Sequence, residues 1–177
     1  MRIIRGFWRG YDLMKIKVLI TGGTIDNLEY YSLEKAPKNQ KSLIPLLLKQ
    51  SRIIVDYGIE KILFSDSKFI SDEDREYISK RCEDCKEDKI IITHGTMTMA
   101  QTAKFLGKQN IKKTIVLVGS AVPANKEKSD ALFNLGLAFA TVQLLPHGVY
   151  IAMNGNIFSW NNVKKNLKTG FFEKENK

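Results

Sequence analysis

The sequence predicts an α/β protein: a single, doubly wound domain of three layers, in which a mainly parallel sheet lies between two layers of helices. Short apolar runs rich in β-branched residues alternate with longer segments of helical periodicity along most of the chain. Unbroken apolar runs are typical of parallel strands that are buried on both faces. Strands and helices that alternate in this way form βαβ units, whose crossover helices cover both faces of the sheet.

Five strands are predicted, and each is a mainly apolar run that stops at a serine, threonine, glycine or asparagine. In chain order they cover residues 15–20, 61–64, 89–92, 114–118 and 149–153. A sixth strand over 157–159 is predicted to pair back onto the fifth. The reason is Asn154-Gly155, a sequence typical of two-residue hairpin turns.

Four helices are predicted between these strands. In chain order they cover 42–50, a segment from Ser71 to the pair Cys82 and Cys85, a segment from about Met97, and 130–143. Pro45 falls in the first turn of the first helix, where its missing N–H costs little. Ser71 is an N-cap for the second helix, and Asp74 stands at the third helical position, close to a capping box.

Length and composition indicate one soluble globular domain with no membrane partner. The chain has 177 residues, of which 44% are hydrophobic and 27% charged. No apolar run approaches the roughly 20 residues that a membrane-spanning helix needs. Residues 1–13 are basic and aromatic but lack the apolar stretch and cleavage site of a signal peptide. Because Met14 directly precedes the first strand, we treat 1–13 as an N-terminal extension and 14–177 as the domain.

The formal net charge of +9 raises the question of nucleic-acid binding. The lysines are spread along the chain, in loose clusters, and no segment interleaves basic with aromatic residues as nucleic-acid modules do. We therefore expect solvated, lysine-rich faces and no nucleic-acid partner.

Cys82 and Cys85 form a single CxxC pair at the end of the second predicted helix. A zinc site would need further ligands, and the two histidines, His94 and His147, are not spaced as ligands. A thioredoxin-type pair would open a helix after a strand rather than close one. We expect two surface thiols, no bound metal and a reducing, cytoplasmic environment.

The functional site is expected at the carboxyl ends of the strands, because open α/β sheets bind ligands there, where the winding reverses. Four strand exits share a composition rich in glycine, serine and threonine: 21–24, 65–67, 93–98 and 119–125. One of them also contains His94, which has the chemistry of a general base. A histidine between strand and turn is more often a packed, hydrogen-bonded core group, and we favour that interpretation.

The first exit, Thr21-Gly-Gly-Thr24, has the residues that an acyl-transfer site needs. Its glycines allow a sharp turn with N–H groups close to a ligand. The Thr24 hydroxyl can act as a nucleophile if a base takes its proton and N–H donors receive the oxyanion. The alternative is a plain strand-to-helix turn or a phosphate cradle. The spacings of the P-loop and of dinucleotide-binding motifs are absent.

Three stretches resemble the signatures of the N-terminal domain of bacterial-type L-asparaginases. They are "ITGGTID", "IIITHGTMTMAQTA" and "IVLVGSAVPANKEKSDALFNLGLAFA", in this order. The resemblance covers about residues 15–170 and implies the fold of that domain. The usual family member has a second, C-terminal domain, so the chain resembles the short, single-domain asparaginases.

The resemblance implies catalytic roles for residues in these motifs. Thr24 corresponds to the nucleophile and Thr96 to a second catalytic threonine. Lys165 corresponds to the lysine base, with Lys164 as the alternative. A tyrosine that closes the site as part of a lid corresponds to Tyr30, with Tyr31 as the alternative.

The resemblance also implies substrate-binding positions. Ser67, with Ser65 as the alternative, corresponds to a serine that binds the α-carboxylate of the substrate. Gly23 and Gly95 correspond to glycines that line the site. Met97 stands where the family has an aspartate.

That aspartate normally pairs with the α-ammonium of the substrate and helps to orient the lysine, and a thioether does neither. Three explanations remain open. Another carboxylate replaces it, with Asp26, Glu29 and Asp66 as candidates; the substrate lacks a free α-amine; or most of the activity is lost.

The function that the resemblance implies is hydrolysis of asparagine to the acid and ammonia through a threonine acyl-enzyme, with glutamine or a related amide as the next substrates. The alternative is a weak or inactive module on the same fold that binds a small amino or carboxylic acid, which Met97 favours. The chemistry needs no cofactor. The family self-associates, so the resemblance implies a homodimer or homotetramer.

Overall fold

A computed structural model of the chain describes residues 14–28 and 41–176. The predicted extension 1–13 and the tyrosines Tyr30 and Tyr31 lie outside the described residues. None of the described helices is long and apolar enough to cross a membrane.

The described residues form a six-stranded sheet, with strands ordered β2-β1-β3-β4-β5-β6. The bounds are β1 Lys15–Gly22, β2 Asp56–Ser65, β3 Lys89–Thr93, β4 Thr114–Val118, β5 Gly148–Met153 and β6 Asn156–Ser159. The first five strands run parallel, and β6 pairs with β5 in the antiparallel sense. A separate antiparallel pair follows, β7 Lys164–Lys165 and β8 Phe172–Glu173. The predicted α/β class with a mainly parallel sheet is confirmed.

Helices cover both faces of the sheet, as the doubly wound prediction requires. The bounds are α1 Ile44–Gln50, α2 Asp72–Asp84, α3 Met99–Lys108 and α4 Ala131–Leu144. Side chains of a strand point alternately to its two faces, so β1 contributes to two cores. Val18 packs in the core under α1 and α4, and Leu19 packs in the core under α2 and α3. Both side chains are fully buried, and each such burial contributes roughly 1.5–3 kcal/mol.

Local signals placed two helix starts and the hairpin correctly. The Ser71 hydroxyl accepts a hydrogen bond from the Asp74 N–H at 3.2 Å, and the Asp74 carboxylate accepts one from the Ser71 N–H at 2.9 Å. These two bonds form a capping box at the start of α2. Pro45 lies in the first turn of α1. Asn154 and Gly155 have φ angles of 55° and 76°, as a turn with two left-handed residues requires.

The prediction of two surface thiols is wrong for Cys82. Its side chain is fully buried, four residues after Ile78 on the same face of α2, where both pack in the core under that helix. Cys85 is half-buried, and its thiol donates to the Arg81 carbonyl oxygen at 3.0 Å. Burial raises the pKa of the Cys82 thiol, so this cysteine is a core residue and not a reactive one.

Most element bounds differ from the prediction by one or two residues, and the bounds of β2 and α3 are the two that need a structural explanation. Strand β2 covers ten residues rather than the four predicted, because it is the edge strand and its first half, which includes the charged residues Asp56 and Glu60, lacks an apolar run. Helix α3 begins at Met99 rather than at about Met97. The reason is Thr98, whose hydroxyl donates to the Ser67 carbonyl oxygen at 2.7 Å and holds residues 96–98 in a turn.

The order of strands places a reversal beside β1. The chain passes from β1 to β2 on one side, and then crosses to β3 on the other side of β1. A crevice forms at such a reversal, outside the carboxyl ends of the strands. The exits of β1 and β3 flank this crevice.

Candidate active site

The exits of β1 and β3 meet through the backbones of two glycines. A Cβ atom placed on Gly23 would lie 2.4 Å from the Gly95 Cα and 2.4 Å from the Gly95 nitrogen. No side chain fits between them. The close approach brings together the two segments in which Thr24 and Thr96 directly follow these glycines.

Thr24 leaves β1 through a strained turn. Gly23 has a φ of 89° and a ψ of −173°, a region that is essentially restricted to glycine. The Gly23 N–H donates to the Ser65 carbonyl oxygen at 2.9 Å, which ties the turn to the end of β2. Thr24 then opens a short 3-10 helix, Thr24–Asp26, and its side chain is half-buried.

Replacing Gly23 with alanine is expected to destabilise the fold. The left-handed backbone and the contact with Gly95 together predict a loss of about 2 kcal/mol or more in the free energy of unfolding, measured by urea denaturation. The matched control is Gly136→Ala inside α4, where an added Cβ meets nothing within 4 Å. That change is expected to stabilise by about 0.5–1 kcal/mol. Equal effects of the two substitutions on the free energy of unfolding would contradict the close contact between Gly23 and Gly95.

Lys165 contacts the second threonine directly. Its Nζ donates to the Thr96 hydroxyl at 2.7 Å and lies 3.6 Å from the Met97 sulfur. The Lys165 side chain is half-buried, and this burial lowers the pKa of its amine, with a smaller contribution from the positive charge of Lys68. Thr96 is 8% exposed. The alternative lysine, Lys164, is exposed to solvent.

The short β7–β8 hairpin determines which of the two lysines enters the site. Lys164 pairs with Glu173 at 3.4 Å in an exposed ion pair, whereas Lys165 lies opposite Phe172. Val163 and Phe172 are buried in the core under α2 and α3. Because successive side chains of a strand alternate, this anchoring turns Lys165 towards the β3 exit and Lys164 towards solvent.

Ser67 supplies a buried hydroxyl behind the glycine contact. The residue is 1% exposed, and a Cβ on Gly95 would lie 2.5 Å from the Ser67 Oγ. Among the described residues this hydroxyl has no hydrogen-bond partner. An unpaired buried hydroxyl costs free energy, so it is available to a ligand that enters the crevice. The alternative, Ser65, donates to the neighbouring Asp66 carbonyl oxygen at 3.2 Å.

His94 is a neutral core residue, in agreement with the favoured interpretation. Its Nδ1 lies 2.8 Å from the Gly95 carbonyl oxygen, which can only accept, so the ring hydrogen is on Nδ1. Its Nε2 accepts from the Thr102 hydroxyl at 2.9 Å, and that oxygen accepts from the Arg75 Nε at 3.3 Å. Burial lowers the pKa of His94 to about 4. The imidazole therefore holds the Gly95 carbonyl in place and does not act as the base.

The buried His94 is expected to make stability depend on pH. Its pKa is lowered from 6.5 to about 4 on folding, so the unfolded chain binds more protons between these values. The contribution of neutral His94 to the free energy of unfolding is therefore complete above about pH 6.5. It falls by up to about 3 kcal/mol as the pH is lowered towards 4. Urea denaturation of the wild type and of His94→Gln across this range measures the difference. The exposed His147 provides the control, His147→Gln, which should keep the wild-type slope; a His94→Gln slope equal to the wild type would contradict the assignment.

Hydrogen bonds of a buried side-chain amide fix the loop that follows β4, and this loop lies against the segment around Thr24. The Asn134 side chain donates to the Gly119 carbonyl oxygen at 3.1 Å and to the Asp130 carboxylate at 2.8 Å. That carboxylate also accepts from the Ala121 N–H at 2.9 Å. This network fixes the loop after β4, and its Ala124 N–H donates to the Ile25 carbonyl oxygen at 3.3 Å. The other three predicted strand exits are thus all joined to the first, the segment around Thr24.

Among the described residues, Met97 is uncharged, and the two candidate carboxylates Asp26 and Asp66 are bonded within the fold. The Met97 side chain is 43% exposed. The Asp26 carboxylate accepts from the Ser42 hydroxyl at 2.8 Å and from the Leu43 N–H at 2.7 Å, at the start of α1. The Asp66 carboxylate accepts from the Lys68 N–H at 3.0 Å. Glu29, the third candidate, lies outside the described residues.

Sequence reasoning missed three residues of the site's surroundings. Lys68 acts on Lys165 through its charge, and its position directly after Ser67 was the available signal. Thr102 lies four residues after Thr98, on the same face of α3, and that spacing pointed to it. Nothing in the local sequence indicated that Arg75 is buried, since it stands in the highly charged α2.

The fold and the site together define a class of α/β protein. In it, two glycine–threonine turns and a lysine lie at the point where the strand order of a parallel sheet reverses. The family model described as "Asparaginase, N-terminal" matches residues 15–173. The chain belongs to the asparaginase family.

Individual relatives agree with this assignment. "Probable L-asparaginase periplasmic" of Haemophilus influenzae is 32% identical, over 89% of this chain and 48% of the relative. "Glutaminase-asparaginase" of Pseudomonas aeruginosa is 30% identical, over 91% of this chain and 48% of the relative. The structure titled "Crystal Structure of Probable Cytoplasmic L-asparaginase from Campylobacter jejuni" has a TM-score of 0.76 at 32% identity, over 92% of this chain and 53% of that one. The chain spans about half the length of the curated relatives that it matches.

Proposed function

We propose that this chain is an amidohydrolase that acts on asparagine or a related small amide and releases ammonia. One observation supports the proposal: a half-buried lysine donates to the Thr96 hydroxyl at 2.7 Å, and Gly95, which precedes Thr96, is in close contact with Gly23, which precedes Thr24. A threonine nucleophile, a lysine with a lowered pKa and nearby backbone N–H groups are sufficient for acyl transfer. This route requires neither a metal nor an organic cofactor.

In the proposed mechanism, the Thr24 oxygen attacks the amide carbon and its proton passes, through Thr96, to the neutral Lys165 amine. The tetrahedral intermediate collapses as the C–N bond breaks, and the proton returns to the leaving nitrogen, which departs as ammonia. An ester between Thr24 and the acyl group remains. Water then attacks this ester, the same lysine again carries the proton, and the acid and free Thr24 are formed. Tyr30 is proposed to close the site during these steps.

The experiment that tests the proposal measures ammonia release and hydroxamate formation in the presence of hydroxylamine. An acyl-enzyme transfers its acyl group to hydroxylamine as well as to water, so both products are expected from asparagine, glutamine or succinamate (the analogue of asparagine without its amino group). Ammonia without hydroxamate would argue against the covalent intermediate. Release of ammonia from none of these amides would overturn the proposed hydrolysis.

The second candidate is a binding module for a small carboxylic acid, and the exposed Met97 beside Lys165 favours it. Such a module binds succinate or aspartate in calorimetry without releasing ammonia from any amide. The names of the relatives support catalysis, because all those cited above are asparaginases or glutaminase-asparaginases.

Self-association as a homodimer or homotetramer is proposed as well. The apolar residues Leu132, Phe133 and Leu144 of α4 are 49%, 64% and 77% exposed, which is consistent with a further protein contact. Light scattering after size exclusion is expected to give twice or four times the 20.2 kDa of the chain. A monomer at high micromolar concentration would contradict this proposal. A cytoplasmic location is proposed on the likeness to the Campylobacter jejuni structure, and fractionation tests it.

A further inference from the structure

We infer that the substrate of this site is a small amide that carries a carboxylate and no ammonium group, such as succinamate. The inference rests on the proposed function and narrows it to one substrate class. It depends on four features of the crevice: the partners of Lys165, the position of Lys68, the orientation of the nearby carboxylates, and the buried Ser67 hydroxyl.

The side-chain amine of Lys165 makes its hydrogen bonds to uncharged groups. The described residues that it contacts are Thr96, through the hydroxyl, and Met97, through the sulfur. A thioether is a weak acceptor and carries no charge. A substrate ammonium at this position would meet a lysine amine and a sulfur atom, and not an anion.

A second cation adds to this field. Lys68 follows Ser67 in the short 3-10 helix Ser67–Phe69, and its charge lowers the pKa of Lys165 after the larger effect of burial. The two lysines are therefore close enough to repel each other. Like charges disfavour a third cation and attract an anion.

The carboxylates nearest along the sequence are already engaged. Asp26 is buried and accepts two hydrogen bonds at the start of α1. Asp66 caps the short helix by accepting from the Lys68 N–H. Within residues 14–28 and 41–176, both of these carboxylates thus have a bonding role in the fold itself.

The Ser67 hydroxyl provides the complementary donor. It is fully buried behind Gly95 and has no partner among the described residues. A carboxylate is an acceptor with no hydrogen to give, and it matches a buried hydroxyl that has no partner among the described residues and directly precedes Lys68 in the chain. The described part of the site thus has recognition chemistry for the acid group of a substrate and shows no partner for an amine.

The test compares succinamate with asparagine as substrates of the full chain. The two amides differ only by the α-ammonium group. We expect kcat/KM for succinamate to exceed that for asparagine by about tenfold or more, because selectivity follows the difference in interaction with the site. Equal values, or a preference for asparagine, would overturn the inference.

Substitutions at Met97 locate the origin of the preference. Met97→Asp introduces an anion and is expected to reverse the preference towards asparagine by about tenfold or more. Met97→Asn has nearly the same size without the charge and is the matched control, which should keep the wild-type preference. An equal shift in both variants would assign the effect to shape and overturn the electrostatic explanation.

A binding measurement separates this inference from the proposed hydrolysis. If neither amide releases ammonia, hydrolysis fails, but titration calorimetry with succinate and with L-aspartate still measures the preference. Tighter binding of succinate by about tenfold supports the inference. Equal binding, tighter binding of aspartate, or binding of neither acid overturns it.

Discussion

Replacing Thr24 with valine is expected to lower kcat for amide hydrolysis by at least about a thousandfold, because the attacking oxygen is removed and no acyl-enzyme can form. Valine keeps the shape and the β-branching of threonine, so the fold should be retained. The half-buried Thr24 side chain at the start of the short 3-10 helix leaves room for this change. Steady-state ammonia release measures the loss. Thr24→Ser keeps an oxygen and should retain a measurable part of the activity.

Thr21→Val is the matched control, since it removes a hydroxyl from the same turn. The Thr21 hydroxyl is fully buried and donates to the Thr93 carbonyl oxygen at 2.7 Å. Its loss is expected to reduce the free energy of unfolding by about 1–2 kcal/mol and to leave kcat within a few-fold. A similar loss of kcat in both valine variants would mean that the turn, and not the Thr24 oxygen, is responsible.

Replacing Lys165 with methionine is expected to lower kcat by roughly a hundredfold or more, because the proton acceptor is removed. Methionine preserves most of the side-chain length and its apolar stem. Lys164→Met is the matched control: the neighbouring lysine is exposed and pairs with Glu173, so its loss should have little effect on the rate. Equal losses in the two variants would contradict the assignment of Lys165 as the base.

The same assignment predicts how the rate depends on pH. A lysine base acts in its neutral form, so the rate rises with pH through the Lys165 pKa, which burial and the charge of Lys68 lower from its usual value. Lys68→Met removes one positive charge, raises that pKa and moves the rising limb of kcat/KM to higher pH. A limb that does not move, or that moves to lower pH, would show that another group titrates.

Strand exits could be predicted from the sequence because each depends on local chemistry. Short β-branched runs end at residues such as Thr21 and Gly119, and the structure places both at the carboxyl edge of one sheet. The capping box at Ser71 and the turn at Asn154 likewise depend on residues within four positions of one another. The roles assigned to Thr24, Thr96 and Lys165 came from the family resemblance and stay predictions.

Features set by distant residues could not be predicted. The length of β2 depends on its pairing along β1, where Asp56 lies opposite Lys15, and a charged edge strand gives no apolar signal. The start of α3 depends on a bond from Thr98 to Ser67, 31 residues away. The charged neighbours of Cys82 indicated a surface, and its spacing from Ile78 was the better guide.

The bond between Lys165 and Thr96 joins positions 69 residues apart in the chain. Translation delivers both threonines long before the lysine, and domains tend to form from the N-terminal end as the ribosome moves. The nascent sheet can therefore be nearly complete while the proposed active site still lacks Lys165. Acquisition of activity should coincide with emergence of the β7–β8 hairpin, which carries Lys165, rather than with collapse of the core.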